Sequence, residues 1–324
     1  MVILMKKVLF IILLFFPLLV LAYSDYIIPG GDTLGIEVNS KGVVVVGFYK
    51  VDGTYINREL RIGDSILEVN NYEVESSNDL VKLIEENMKN NKVNITYERN
   101  DKEYETNLDL KLVLGSYRTG LYVKGNILGV GTLSYIDPET GIYGVLGHSL
   151  NVSGTNQLMD VKTGYSYDAE VVSFTRSVNG SPGSKNADID KNSRFGTIEV
   201  NSNYGIFGKA DEVKNKKLMK VGTLDDVSLG EAYIYTTNLD NEVVKYEIEI
   251  LNIDKDNYDK NIYFEVVDTD LLKMSGGIVQ GMSGSPIIQN DMIIGAVTRV
   301  LVDDVDRGYG ISIVTMLEEG DKLQ

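Results

Sequence analysis

The chain reads as a multidomain protein: a small α/β domain followed by a larger all-β domain. Three observations carry this. The 324 residues exceed the ~100–200 usual for one domain. Helical periodicity is confined to one stretch, residues 78–89, where Leu80, Leu83, Ile84 and Met88 share a face. Beyond Leu114 that periodicity disappears, and about a dozen short strand candidates recur between Gly, Asn and Asp turns. Strands of that length and density build a sandwich or a pair of barrels.

The first element is an apolar run from Val8 to Ala22, preceded by Lys6 and Lys7. It is short for a bilayer crossing, which takes about 20 residues. Basic start, apolar middle and small end fit a secretory signal, with Val20-Leu21-Ala22 before the cleavage point. An uncleaved signal anchor with both lysines on the cytoplasmic side is the competing reading. Residues 1–23 are therefore expected to export the rest of the chain, and an anchor would associate it with a membrane.

Residues 24–112 form the expected small domain. Val43–Phe48 is a β-branched strand. Gly63-Asp64 is a turn, Ile66, Leu67 and Val69 begin a strand, and Asn70-Asn71 is a second turn. The 78–89 helix, with Ser76 or Ser77 as its cap, and strands from Val93 and Glu103 complete it. This order resembles a PDZ domain. The resemblance implies that Leu34-Gly35-Ile36 is the loop whose N–H groups take a peptide carboxylate, and that the next strand pairs with the peptide. Residues 113–324 form the expected all-β domain. Within it, 179–194 is rich in Ser, Gly, Asn and Asp and reads as an exposed loop open to nicking.

Composition narrows the chemistry. The net charge of −16 argues against nucleic acid, because phosphate binding needs clustered Lys and Arg. The absence of cysteine excludes a thiol nucleophile, disulfides and thiolate metal sites. Neither a phosphate loop nor clustered metal ligands are evident, so no metal, nucleotide or organic cofactor is implied. The single histidine, His148, means that a Ser–His mechanism has one available base.

The strongest motif is Gly281-Met282-Ser283-Gly284-Ser285-Pro286. A serine between glycines on a sharp turn lifts its hydroxyl clear of the main chain, and Ile287-Ile288 then begins a strand. Ser283 is the expected nucleophile. Ser285 is the alternative, but the residue before a proline is pushed toward an extended conformation. His148 follows a strand in Gly147-His148-Ser149 and is the expected base. The N–H groups of Gly281 and Ser283 are the expected oxyanion donors. For the group that orients the base, Asp268 ends a strand fifteen residues before the serine; Asp270, Asp160, Asp188 and Asp190 are further candidates.

Residues 275–290, together with 129–150 and the arrangement of export segment, PDZ-like domain and peptidase domain, resemble the stage IV sporulation protein B peptidases. The resemblance implies a chymotrypsin-like double β-barrel with Ser283, His148 and Asp268 as its catalytic set. It implies an exported serine endopeptidase in the space between the two forespore membranes. Its substrates would be itself and membrane-tethered regulators whose cleavage triggers intramembrane proteolysis and late sigma-factor activation. An aspartate so close to the serine departs from the wider chymotrypsin group, and Ser149 departs from the residue expected after the histidine. A different class of function, a catalytically inactive scaffold that binds peptides, has no need of His148.

Overall fold

The computed structural model describes residues 23–152, 158–213 and 216–324, so the expected export segment lies outside the described residues. Strands β1 (Tyr26–Pro29) and β2 (Thr33–Phe48) open the chain. Then come β3 (Ser65–Val69), β4 (Tyr72–Glu73), helix α1 (Ser77–Asn87), β5 (Lys92–Arg99), β6 (Lys102–Asp109), β7 (Lys111–Val113) and β8 (Ser116–Arg118). Next are β9 (Leu121–Ile136), β10 (Ile142–Val145), β11 (Thr163–Thr175), β12 (Ser184–Ile198), β13 (Val200–Ser202) and β14 (Gly205–Lys209). The chain ends with β15 (Met219–Val221), β16 (Gly230–Thr237), β17 (Val243–Ile253), β18 (Ile262–Val266), helix α2 (Thr269–Ser275), β19 (Pro286–Gln289), β20 (Met292–Leu301), β21 (Asp304–Ser312) and helix α3 (Ile313–Gly320).

Pairing closes two six-stranded barrels, the fold class expected from the sequence. The first runs β2–β9–β10–β14–β12–β11 and back to β2. Its β12–β14 seam is held by Glu199 N–H to Phe207 O and Asp211 N–H to Phe195 O, both 2.9 Å. The second runs β16–β17–β18–β21–β20–β19 and back to β16. Each barrel fills with one face of its strands, as period-two alternation requires. In β17 the inward residues are Tyr246, Ile248 and Ile250. Leu34, Ile36, Leu133, Val145 and Ile206 fill the first barrel; Ile234, Ile248, Phe264, Ile287 and Val297 fill the second. Closure leaves few free edges, the usual liability of β-proteins.

A third apolar cluster joins the barrels. Ile313, Met316 and Leu317 of α3 are buried with Tyr135 and Phe207 of the first barrel and Ile288 and Ile311 of the second. Strand β1 straps the two as well. It pairs with β9 on one side and β15 on the other, and β15 runs parallel to β20.

The small α/β unit is inserted into the first barrel. Val43–Phe48, the second half of β2, pairs with β3 and with the beginning of β9; β3 pairs with β5, and β5 with β6. Strands β2 and β9 thus each run through both units. Between the halves of β2, Gly42 takes φ +71° and Ser40 Oγ donates to Gly42 O (2.8 Å) and Gly125 O (3.1 Å). Such a bulge re-aims a strand without ending it. The unit has its own core of Val43, Val45, Ile66, Leu80, Ile84, Ile95 and Leu108. Ser76 caps α1 by accepting from Asp79 N–H at 3.0 Å. Asp64, 1% exposed, takes a bidentate pair from Arg99 with both contacts at 2.6 Å.

Three sequence expectations change here. The boundary between residues 112 and 113 does not divide the units, because β2, before it, and β9, after it, are neighbours in one barrel. Leu34-Gly35-Ile36 is not a carboxylate loop. It lies in mid-strand with β9 on one edge and β11 on the other, and Leu34 and Ile36 are each 1% exposed. Its main-chain groups are taken by those ladders, and no peptide reaches them. Residues 179–194 are not a free loop either: 184–194 lie in β12, paired to β11. Among the described residues no helix is long and apolar enough to cross a membrane.

A side chain at Gly35 would overlap Ile189 across the barrel. We expect Gly35→Val to destabilise the protein by about 1–3 kcal/mol through overpacking, measured by denaturant or thermal unfolding.

Candidate active site

The serine turn is built by contacts across the two barrels. Helix α2 ends at Gly276 (φ +73°), and the chain runs through Gly277 (φ +127°) into 278–280. The first barrel holds that approach. Ser177 N–H donates to Ser275 O (2.7 Å), Ser177 Oγ to Ile278 O (2.7 Å), and Lys185 N–H to Gln280 O (2.7 Å). Lys185, within the stretch expected to be open to nicking, therefore buttresses the serine turn.

The turn itself needs glycine at both ends, with φ +98° at Gly281 and +95° at Gly284. A Cβ on Gly284 would overlap Thr132 O, so the barrels touch there with no room for a side chain. Thr132 of β9 clamps the turn twice: its Oγ1 donates to Gly281 O (2.7 Å) and its N–H to Ser283 O (2.9 Å). With both carbonyls held back, the N–H groups of Gly281 and Ser283 remain. Among the described residues neither has an acceptor. Two unpartnered donors two residues apart on one glycine turn are what a developing oxyanion needs.

Ser283 is partly exposed, and its hydroxyl donates to Thr298 O at 3.1 Å. Ser285 is fully buried and its hydroxyl has no partner. Of the two serines, 283 is the one a substrate reaches.

Gly147, next to His148, approaches the strand of Thr298 from the first barrel. Leu146 and Gly147 take φ +73° and +64°, turning the chain out of β10. Gly147 lies against the second barrel, where an added Cβ would meet Thr298 Cγ2 at 3.1 Å and Val297 O at 3.3 Å. Ser283 and the Gly147-His148 pair thus converge on Thr298 of β20. His148 Nδ1 stands 2.9 Å from Ser149 O. The tautomer with its proton on Nδ1 donates there and leaves Nε2 as the base. Burial holds the imidazole below its ordinary value of 6.5; Arg299 adds to that, and the Ser149 hydrogen bond opposes it.

Asp268 does a different job from the one expected. It is the N-cap of α2: Oδ1 accepts from Asp270 N–H (2.9 Å) and Leu271 N–H (3.0 Å), and Oδ2 from Glu247 N–H (3.2 Å). A carboxylate engaged by three main-chain donors is committed to the helix start. Asp270 pairs with Lys273 at 3.1 Å. Asp160 is exposed, and Asp188 and Asp190 lie exposed on β12. Among the described residues no carboxylate hydrogen-bonds to His148, and the Ser149 carbonyl does the orienting.

Lys185 carries no sequence cue and stands out in the structure. Its side chain is 3% exposed, and Nζ donates to Thr236 Oγ1 (2.7 Å) in the second barrel and Thr33 Oγ1 (3.2 Å) in the first. An added Cβ on Gly281 would stand 3.0 Å from Lys185 Cβ. Burial without a carboxylate partner pushes the amine down from 10.5 to about 7. Thr132 and Lys185 were invisible as site residues because each acts through partners on the opposite barrel, and Thr298 because it acts through a main-chain carbonyl that every residue carries.

Residues 115–317 match the family model described as SpoIVB peptidase S55, and residues 33–110 match the PDZ domain model. No curated protein matches the chain. Among solved structures, the active form of the Rv3671c protease from M. tuberculosis is 16% identical over 59% of this chain and 71% of that one, with a TM-score of 0.33. An inactive serine-to-alanine mutant of Rv3671c from M. tuberculosis H37Rv is 15% identical over 58% of this chain and 78% of that one, with a TM-score of 0.30. Scores this low give the superpositions no weight.

Two outcomes are expected. Asp268→Ala loses about 1 kcal/mol of stability with its cap, whereas Asp268→Ser, another good cap, keeps stability and turnover close to wild type. A triad carboxylate would lose turnover in both, so rates and unfolding of the pair separate the roles. For Lys185, the unfolded chain holds a proton between pH about 7 and 10.5 that the folded chain has released. Stability therefore rises with pH across that window, and Lys185→Met should remove the rise in denaturant unfolding.

Proposed function

The chain belongs to the SpoIVB peptidase S55 family, and on that premise we propose that it is an exported serine endopeptidase with Ser283 as nucleophile and His148 as base. The observation that carries the reading is the turn itself: an accessible serine hydroxyl beside two unpartnered main-chain donors. In this reading the Ser283 hydroxyl leaves Thr298 O and donates to His148 Nε2 when substrate binds. Oγ then attacks the carbonyl carbon of the scissile peptide, its proton passes to Nε2, and the Gly281 and Ser283 N–H groups hold the oxyanion. The imidazolium returns the proton to the leaving amine. Water repeats the sequence to release the acyl group. The lowered basicity of His148 keeps it unprotonated, and therefore competent, at neutral pH.

The finer reading follows the family resemblance. Its substrates are proteins or peptides: the chain itself, and membrane-tethered regulators in the space between forespore membranes. Their cleavage would trigger intramembrane proteolysis and late sigma-factor activation during sporulation. The expected export segment at residues 1–23 would bring enzyme and regulators to one membrane surface. The PDZ unit supports this reading as a peptide-capturing module. The scaffold alternative draws on one observation, the resting hydrogen bond from Ser283 to Thr298 O rather than to the imidazole.

A fluorophosphonate probe separates the two. It should label the full chain and fail to label Ser283→Ala; labelling of that variant would sink the assignment. His148→Ala should lower the hydrolysis rate at least about a thousandfold. The base works unprotonated, so wild-type kcat/KM should fall as pH drops, with a midpoint below 6.5. Peptide binding without any labelling or hydrolysis would favour the scaffold.

A further inference from the structure

We infer that the free edge of β9 is a docking track for the part of an extended polypeptide substrate that follows the scissile bond, running from the serine turn to the PDZ unit. This rests on the peptidase reading above and adds a substrate path to it.

The argument starts at Thr132. Its N–H donates to Ser283 O, while Thr33, paired opposite on β2, sends its own N–H away to Thr237 Oγ1 (3.0 Å). The main-chain groups of that pair therefore face away from each other. In an antiparallel ladder this alternates with a period of two. Val130, Leu128 and Asn126 consequently also turn their N–H and C=O away from β2. On that side β10 pairs with β9 only from Leu133 onward, and β1 lies on the opposite edge, in line with β2. Among the described residues the main-chain groups of Asn126, Leu128 and Val130 on this edge have no partner.

An exposed strand edge is a template for another chain. Proteins usually blunt it with charge, proline, a bulge or a covering element. Here the edge reads Asn126-Ile127-Leu128-Gly129-Val130, with no charge and no proline, and Leu128 is 52% exposed. In a barrel whose other strands are paired on both edges, this segment has no strand partner on that side among the described residues.

Position gives the edge its occupant. At one end Thr132 is bonded to the serine turn, and an added Cβ on Gly281 would lie 3.7 Å from Val130 Cγ1. At the other end the start of α1 packs on β9, where an added Cβ on Gly125 would meet Ser76 Cα and Ser77 N at 3.5 Å. From Thr132 to Asn126 the strand covers about 20 Å. The polarity follows from strand pairing. β9 runs from the PDZ unit toward the serine, so an antiparallel guest, the more stable pairing, runs from the serine toward α1. Its residues after the scissile bond lie along β9, and its tail arrives at the PDZ unit. This is peptide capture by strand addition, placed in register with a cleavage site. It also supplies what Leu34-Gly35-Ile36 cannot, since those residues are paired on both edges.

The test uses denatured β-casein to find one bond that the full chain cleaves. Two synthetic peptides built on it share the residues before the bond and end one or eight residues after it. The longer should be cleaved with at least tenfold higher kcat/KM. Leu128→Pro removes one edge N–H and leaves the β2 ladder intact, as edge positions allow. It should bring the long-to-short ratio toward one. Hydrogen exchange in Ser283→Ala, which does not depend on the proline variant folding, should slow at Asn126, Leu128 and Val130 when the long peptide is added. Equal kcat/KM for the two peptides, or a ratio unmoved by Leu128→Pro, overturns the track while leaving the peptidase reading in place. Slowing that follows protein concentration rather than peptide overturns it in favour of edge-to-edge pairing between two copies. Absence of all hydrolysis overturns the peptidase reading and the track with it.

Discussion

The two hydrogen bonds from Thr132 to the carbonyls of Gly281 and Ser283 are the contact on which the rest of the site depends. They cross from one barrel to the other. They draw the carbonyls of the turn inward, and the N–H groups of the same residues are what remains to meet a substrate. The clamp works only where the main chains approach without side chains between them, and Gly284 makes that possible. The serine turn in this protein is thus a property of an interface, and anything that separates the barrels removes it. The apolar cluster around α3 and the β1 strap hold that interface closed.

The same strand that carries the clamp also carries the PDZ unit. Because β2 and β9 run through both, the unit is held by two continuous strands and not by a hinge. The bulge at Ser40–Gly42 sets the angle at which it leaves the barrel. Under the proposed function, peptide capture and peptide cleavage are in this way tied to one piece of secondary structure, and the distance between them is a number of residues.

Charge inside the site is handled sparingly. His148 is oriented by a main-chain carbonyl and, among the described residues, has no carboxylate bonded to it to stabilise its protonated form, which fits its lowered basicity. Asp268 supports the nucleophile from a distance by capping the helix that leads into the turn. Lys185 spans the barrels beneath Gly281 with only threonine hydroxyls as partners, so its proton is weakly held. Each of these groups is buried or committed, leaving the turn's N–H groups as the free polar donors at the nucleophile.

What the amino-acid sequence determined by itself was local. The turn at 281–286 is legible because glycines on either side of a serine can serve few other purposes. The proposed base is legible because the chain has one histidine, and α1 because its apolar face repeats at helical spacing. The dozen short strands announced an all-β domain. Tertiary structure decided everything that depends on which strands become neighbours. Leu34-Gly35-Ile36 looks the same in a binding loop as in a barrel strand; its partner 163–168 lies more than 100 residues away. Asp268 at a strand end looks the same as a triad member or a helix cap, and only the positions of the Asp270, Leu271 and Glu247 N–H groups tell them apart. A strand's pattern encodes the face it buries. It does not encode the edge it pairs, because main-chain hydrogen bonding is the same for every residue but proline.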